Sequence, residues 1–331
     1  MTGLLSYLVF FAIQASLFAL LGLGLNLQWG YTGLFNIGVS GFFLVGAYAF
    51  AILCGPPYAS HLGGFGLPYA AGLGGALLAA ALVAFVVGLP TLRLREDYLA
   101  IVTIGIGSVL QLVALNSAWL TGGSQGAAGL PRPGPGWGGA IGRNAPMLAL
   151  VAATVLVVYA ALEAMLRSPW GRVLKAIRED ETAAAALGKN AFAFRLQAFV
   201  IGSAIMGLAG ALYASFIGFV SPEDFLPILT FQVWSMLIVG GSGNNKGALL
   251  GAFVMWAVWT ASGSAAQWLL PAGWQVKVGA AQIILIGLVL MATLVLRPRG
   301  LIGEEAVVSR EARLAPDAPR AAAAEGVTPA P

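Results

Sequence analysis

Few side chains in this 331-residue sequence could carry out bond chemistry. Cys54 and His61 are its only cysteine and histidine, so neither a disulfide framework nor a Cys/His metal cluster can be built. They read as a small apolar filler and a loop side chain. The stretch GGSGNNKGA around Lys246 superficially resembles a phosphate-binding loop. The pattern G-x-x-x-x-G-K-[ST] needs glycine where Asn245 stands and a hydroxyl where Gly247 stands. A tight glycine turn with one cytoplasmic lysine is expected there instead. Glu163 is the only acid inside the long apolar stretches, which contain no Lys or Arg. Proton- or sodium-coupled carriers usually place an ionisable relay inside the membrane, so ion coupling is disfavoured, although unwound carbonyls can still bind sodium. The sequence thus predicts no catalytic residue, no metal site and no cofactor; if ATP drives this protein, another subunit binds it.

The elements that position these residues follow from composition. Of all residues 59% are hydrophobic and 9% charged, and 45 are glycine, against roughly a quarter charged in a soluble domain. No Asp, Glu, Lys or Arg precedes Arg93. The solvent is therefore the bilayer, and glycine-rich helices suit close packing in it. Apolar stretches fall near 5–26, 33–53, 68–89, 98–116, 146–166, 196–219, 228–241, 247–263 and 278–296. That predicts an all-α polytopic membrane protein with about nine crossings, eight to ten in range, of which the short run 228–241 and the glycine-rich stretch 26–41 are candidates for broken or partial crossings. The N-terminal MTGLLSYLVF lacks the basic region of a cleaved signal and reads as the first span. Arg93, Arg95, the cations from Arg167 to Arg195, Lys246, Arg297 and Arg299 would share the cytoplasmic side. Arg132, Arg143, Lys277, Glu223 and Asp224 would lie outside. This predicts an inner-membrane protein with a periplasmic N-terminus and a cytoplasmic C-terminus. Residues 1–303 form the membrane domain, and the Ala/Pro-rich 304–331 is expected to be a disordered cytoplasmic tail. A net charge of +4 fits basic loops and argues against nucleic-acid binding.

The longest charged loop, 167–191, is expected to hold a cytoplasmic helix capped by Ser168, begun by Pro169 and ended at Gly188. Val173, Leu174 and Ile177 share one face. Arg172, Lys175 and Arg178 recur every three residues, and Lys175 can pair with Glu179. The acidic run Glu179, Asp180, Glu181 would be repelled by anionic headgroups, so insertion into a protein partner fits better than lying on lipid.

Asn26, Gly30, Tyr31, Thr32, Gly33 and Asn36 combine backbone freedom with polar groups at an expected interruption of the second span, as in broken helices that line transport routes. The alternative is a glycine-rich helix whose asparagines bond to neighbours. In the sixth span, Ser203, Gly207, Ala211 and Ser215 form one ridge of small residues, with Gly210, Ala214 and Gly218 beside it; helix packing is the expected role. Thr121, Gly122 and Gly123 are placed on the periplasmic side, within reach of an outer gate or a binding protein.

At the charged loop the chain resembles the LivM-type permeases of the branched-chain amino acid ABC importer family, through GRVLKAIREDETAAAALG and the following FRLQAFVIGSAIMGLAGALYA. In order along the chain, GLNLQWGYTGLFNIG, FFLVGAYA, LRLREDYLAIVTIGIG, LTGGSQGAAGLPRP, VGGSGNNKGALLGAF and LRPRGLIG agree with it, from about residue 15 to 303. The resemblance implies a heterodimeric pore with a second homologous permease, two cytosolic ATPases beneath, and a periplasmic binding protein delivering a hydrophobic amino acid. It also implies that Arg172 through Gly188, including Lys175, Arg178, Glu179, Asp180, Glu181 and Ala184, form the coupling helix seated in an ATPase cleft. Two departures stand out. The importer motif E-A-A-x-x-x-G aligns with Thr182, Ala183, Ala184 and Gly188, displacing its glutamate to Glu181, and Val39 stands where many members carry histidine. A permease for urea or short amides is the alternative within the family; a partner-independent channel or secondary carrier, or a scaffold, would be of another class.

Overall fold

In the computed structural model, residues 2–58, 61–134, 139–269 and 278–304 are described. Lys277, the Arg143 side chain and residues 305–331 of the expected tail lie outside them. The helices are α1 Thr2–Gln28, α2 Val39–Cys54, α3 Tyr69–Thr91, α4 Glu96–Asn116, α5 Ala118–Thr121, α6 Gly139–Arg167, α7 Pro169–Glu179, α8 Glu181–Ala186, α9 Ala191–Ile217, α10 Pro227–Gly240, α11 Asn245–Leu269 and α12 Val278–Leu296. Two-residue strands Ala127–Ala128 and Phe219–Val220 pair antiparallel. The fold is all-α and polytopic.

Among the described residues, seven helices are long and apolar enough to span a bilayer. The other two apolar helices, α2 and α10, have 16 and 14 residues. At about 1.5 Å per residue they fall short of a hydrocarbon core about 30 Å thick. Irregular chain completes them: residues 29–38 lead into α2, and the turn Pro222–Phe225 leads into α10. Each expected apolar stretch coincides with one of these nine helices, the two suspected partial crossings included.

Inside-out patterning explains the layers. Fully buried Leu17, Leu20, Leu23, Phe42, Phe50, Phe199 and Leu237 place α1, α2, α9 and α10 at the centre. Leu78, Leu82, Ile101, Val157 and Ile284 are exposed on the outer helices, and α12 buries no residue. An aqueous protein would not expose so much apolar surface; in lipid that surface is solvated. Among the packing residues anticipated in α9, Gly207 and Gly210 lie where the helix crosses α2 and α3, because a β-carbon on Gly210 would sit 2.0 Å from the Phe43 carbonyl oxygen. Ala211, Ala214, Ser203 and Ser215 are fully buried, whereas Gly218 lies past the end of α9 as its left-handed cap.

The cationic segments gather at one end of the bundle. One pocket joins Arg93 and Arg95 to Glu181 and Arg195, and another joins Arg167, Lys175 and Lys246. Thr121, Gly122 and Gly123 sit at the far end of α4. There the Thr121 hydroxyl bonds the carbonyls of Ala114 (2.5 Å) and Ser117 (2.9 Å), and the Gly123 N–H donates to Thr121 Oγ1 (3.3 Å).

Candidate functional site

The charged loop forms two helices rather than the single helix expected. Ser168 Oγ accepts from the Trp170 N–H at 3.2 Å and Pro169 occupies the first turn, so α7 starts where its sequence signals it. It stops at Glu179 because Asp180 turns extended and its carboxylate accepts from the Ala183 N–H at 3.0 Å, capping α8. Gly188 follows α8 with φ +75°.

Leu174 and Ile177 are buried against the bundle, and Ala184 packs with Ile177 and Ala191. Arg172, Glu179, Asp180, Glu181 and Gly188 are exposed. Lys175 and Arg178 do not share the exposure of Arg172 but are half-buried and point inward. A three-residue step turns a helix by about 300°, so residues six apart diverge by about 120°. Nor does Lys175 pair with Glu179. Its ammonium lies 3.4 Å from the Glu304 carboxylate and 5.5 Å from the centre of the Tyr31 ring. Arg178 Nη2 bridges Glu179 (2.7 Å) and Glu304 (2.9 Å), while its Nη1 donates to the Gly30 carbonyl. Burial alone would lower the Arg178 pKa, but its bonds to Glu179 and Glu304 hold it above its ordinary value. Glu181 pairs with Arg195 at 2.6 Å.

The segment anchored by Arg178 is the interruption between α1 and α2. Its polar side chains form a satisfied internal network. Asn26 donates to Asn245 Oδ1 at 3.0 Å and accepts from the Gly243 N–H at 2.9 Å. Asn245 in turn donates to Glu163 at 3.3 Å, and Glu163 is also held by Arg167 at 2.9 Å. Thus Asn245, the residue that spoils the phosphate-loop pattern, clips α11 to α1 and α6. Gln28 donates to the Phe199 carbonyl (2.9 Å) and Ser203 Oγ (3.1 Å) and accepts from Asn36 (2.8 Å). Thr32 Oγ1 donates to the Leu27 carbonyl at 2.8 Å. The Ile37 N–H finds Thr103 Oγ1 at 2.9 Å, and Ser40 N–H finds Thr230 Oγ1 at 3.1 Å. In hydrocarbon an irregular backbone needs such partners. Replacing the buried Thr103 with the isosteric valine removes the Ile37 acceptor and should cost about 1 kcal/mol, read as a lower melting temperature in detergent.

Beside this segment lies a cavity of about 760 Å³. Its walls include Trp29, Phe35 and Ile37 from the interruption, Trp234 and Ser235 from α10, and Arg299 and Glu304 after α12. Trp29, Phe35 and Trp234 form an aromatic cluster with centroids 4.7 to 5.4 Å apart, and Trp234 Nε1 donates to the Asn36 carbonyl at 3.0 Å. Of the six residues singled out in this segment, Asn26, Gly30, Thr32, Gly33 and Asn36 brace the chain without lining either cavity. Tyr31 lines the second, about 310 Å³, with Glu163, Lys175 and Lys246. The aromatic wall and Glu304 escaped sequence reasoning. The aromatics alternating with polar residues in QWGYTGLFN were the available signal for the wall; Glu304 had none.

A family model described as "Branched-chain amino acid transport system / permease component" matches residues 7–294. The chain is 35% identical over 266 residues to the high-affinity branched-chain amino acid transport system permease protein LivM of Salmonella typhimurium, covering 74% of this chain and 61% of the relative. Against the probable LivM of Methanocaldococcus jannaschii identity is 30%, covering 71% and 75% respectively. Against LivH of Salmonella typhimurium it is 27%, covering 72% and 80%. No solved structure matches the chain.

Proposed function

The chain belongs to the branched-chain amino acid transport system permease family, and from that premise we propose that it is the permease subunit of an ABC importer for branched-chain or other hydrophobic amino acids. It has no catalytic role of its own; two cytosolic ATPases hydrolyse ATP, a second homologous permease completes the pore, and a periplasmic binding protein delivers substrate. The end bearing α7 and α8 faces the cytoplasm, which puts the N-terminus outside and the C-terminus inside.

The observation that carries this reading is the amphipathic helix α7. Its Leu174 and Ile177 dock on the bundle while Arg172, Glu179, Asp180 and Glu181 remain exposed beneath it. Such a charged, two-signed ledge suits the cleft of a protein partner better than a lipid surface. The similarity to both LivM and LivH proteins supports a pore built from two related permeases.

The test is ATP-dependent uptake of labelled leucine in cells carrying Gly188→Pro. Proline fixes φ near −65°, while Gly188 needs φ +75° and gives its N–H to the Ala185 carbonyl at 2.9 Å. Uptake should fall by about tenfold or more, given a strained turn worth roughly 1–3 kcal/mol at the partner-facing surface. Undiminished uptake would remove the coupling assignment. Leucine flux through the purified chain alone would favour a self-sufficient channel or carrier.

A further inference from the structure

The ion cluster beneath α7 joins it to both walls of the 760 Å³ cavity. One connection runs through residues 297–304. Their backbone is pinned to the end of α10, with Leu301 N–H on the Val239 carbonyl and Ile302 N–H on the Gly240 carbonyl, both at 2.9 Å. Asn244 Nδ2 holds the Gly303 carbonyl at 3.2 Å. At its end, the Glu304 carboxylate receives Lys175 through Oε1 and Arg178 through Oε2, at 3.4 and 2.9 Å. The other connection is Arg178 Nη1 on the Gly30 carbonyl, which reaches Trp29 and the interrupted segment. A single guanidinium thus reaches one wall through Gly30, next to the wall residue Trp29, and the other through Glu304. Rigid hydrogen-bonded elements of this kind can carry a displacement between sites.

We propose that Glu304 is a positioning residue of the transport cycle: held by Lys175 and Arg178, it transmits movement of α7 to the α10 wall of the cavity, while Arg178 moves the opposite wall through Gly30. This rests on the importer reading above. It separates the charges of α7 and the start of α8 into an outer set, Arg172, Glu179, Asp180 and Glu181, that meets the ATPase, and an inner pair, Lys175 and Arg178, that relays what the outer set receives.

The experiment measures leucine imported per ATP hydrolysed by the complete importer in proteoliposomes, comparing wild type with Glu304→Gln, Arg178→Gln and the double variant. Glu304→Gln keeps the side-chain shape and should leave ATPase copurification and melting temperature unchanged while import per ATP falls about tenfold, as expected for losing a charged hydrogen bond. The double variant should lose less than the product of the two single losses, because both changes break the same Arg178–Glu304 contact. Unchanged import per ATP in Glu304→Gln overturns the proposal. So do losses that multiply in the double variant, or a fall matched by loss of ATPase binding or of thermal stability, which would mark a merely structural contact. If Arg178→Gln does not fold, Glu304→Gln decides alone. Failure of the wild-type chain to copurify with ATPases would instead reject the importer reading.

Discussion

Asn26→Leu should lower the stability of the protein by about 3 kcal/mol, a large share of a typical total of about 5–15 kcal/mol. Asn26 is fully buried near the end of α1, and its side chain is both an acceptor for the Gly243 N–H and a donor to Asn245. Leucine has nearly the same shape but supplies neither function. Two buried polar groups are then left unpaired, each costing about 1–3 kcal/mol. The effect should exceed the average of about 0.6 kcal/mol for polar contacts between membrane helices, because both partners of Asn26 lose their bond at once. Asn26→Asp separates hydrogen bonding from packing. Ionised, it is a buried charge facing the Asn245 carbonyl oxygen with Glu163 beyond; protonated, it again has both donor and acceptor. Protonation removes the charge whose burial imposes the penalty, so the deficit should shrink as pH falls. Melting temperatures across pH, taken relative to wild type, check this. Equal deficits at every pH would point to packing instead.

The spans were legible because hydrocarbon thickness imposes a length on apolar runs, and that signal survives in a single sequence. The two half-length crossings were legible too: glycine and asparagine collect in residues 26–41, and the run ending at Gly241 is short. The surface helix showed itself through Ser168 and Pro169. Its break at Asp180 was hidden, since aspartate is tolerated on an exposed helix and also caps a new one, and only the folded backbone chooses. Inside the interruption neither a 3.6 nor a 2.0 period applies. The sequence could therefore mark the segment but could not sort Trp29, Phe35 and Ile37 onto the cavity and Asn36 away from it. Glu304 lay beyond the reach of any local pattern, because its partners Lys175 and Arg178 are more than a hundred positions away, 126 in the case of Arg178.

Glycine is where the sequence says least and the structure most, and it yields the second large effect. Gly46 in α2 and Gly287 in α12 both sit in apolar helices and look alike as letters. A β-carbon on Gly287 would meet nothing within 4 Å, whereas one on Gly46 would lie 1.9 Å from the Gly207 carbonyl oxygen, with the Gly207 Cα and carbonyl carbon both at 2.4 Å. All three obstacles are backbone, so no side chain can swing away. Ordinary contact begins near 3.4 Å, and α2 and α9 would have to part by about 1.5 Å, enough to forfeit much of the dispersion energy along the crossing. That energy is what holds helices together in lipid, where no hydrophobic drive acts between them. Separation would also open the Gly210 contact with the Phe43 carbonyl and disturb Gln28, which reaches α9 through Phe199 and Ser203. Gly46→Val should therefore cost about 3 kcal/mol or more, at or above the usual upper range for overpacking, while Gly287→Val should cost next to nothing. Monodisperse yield in detergent and melting temperature read the difference. If the two valines behaved alike, the close crossing of α2 and α9 would not be what holds the centre of the bundle.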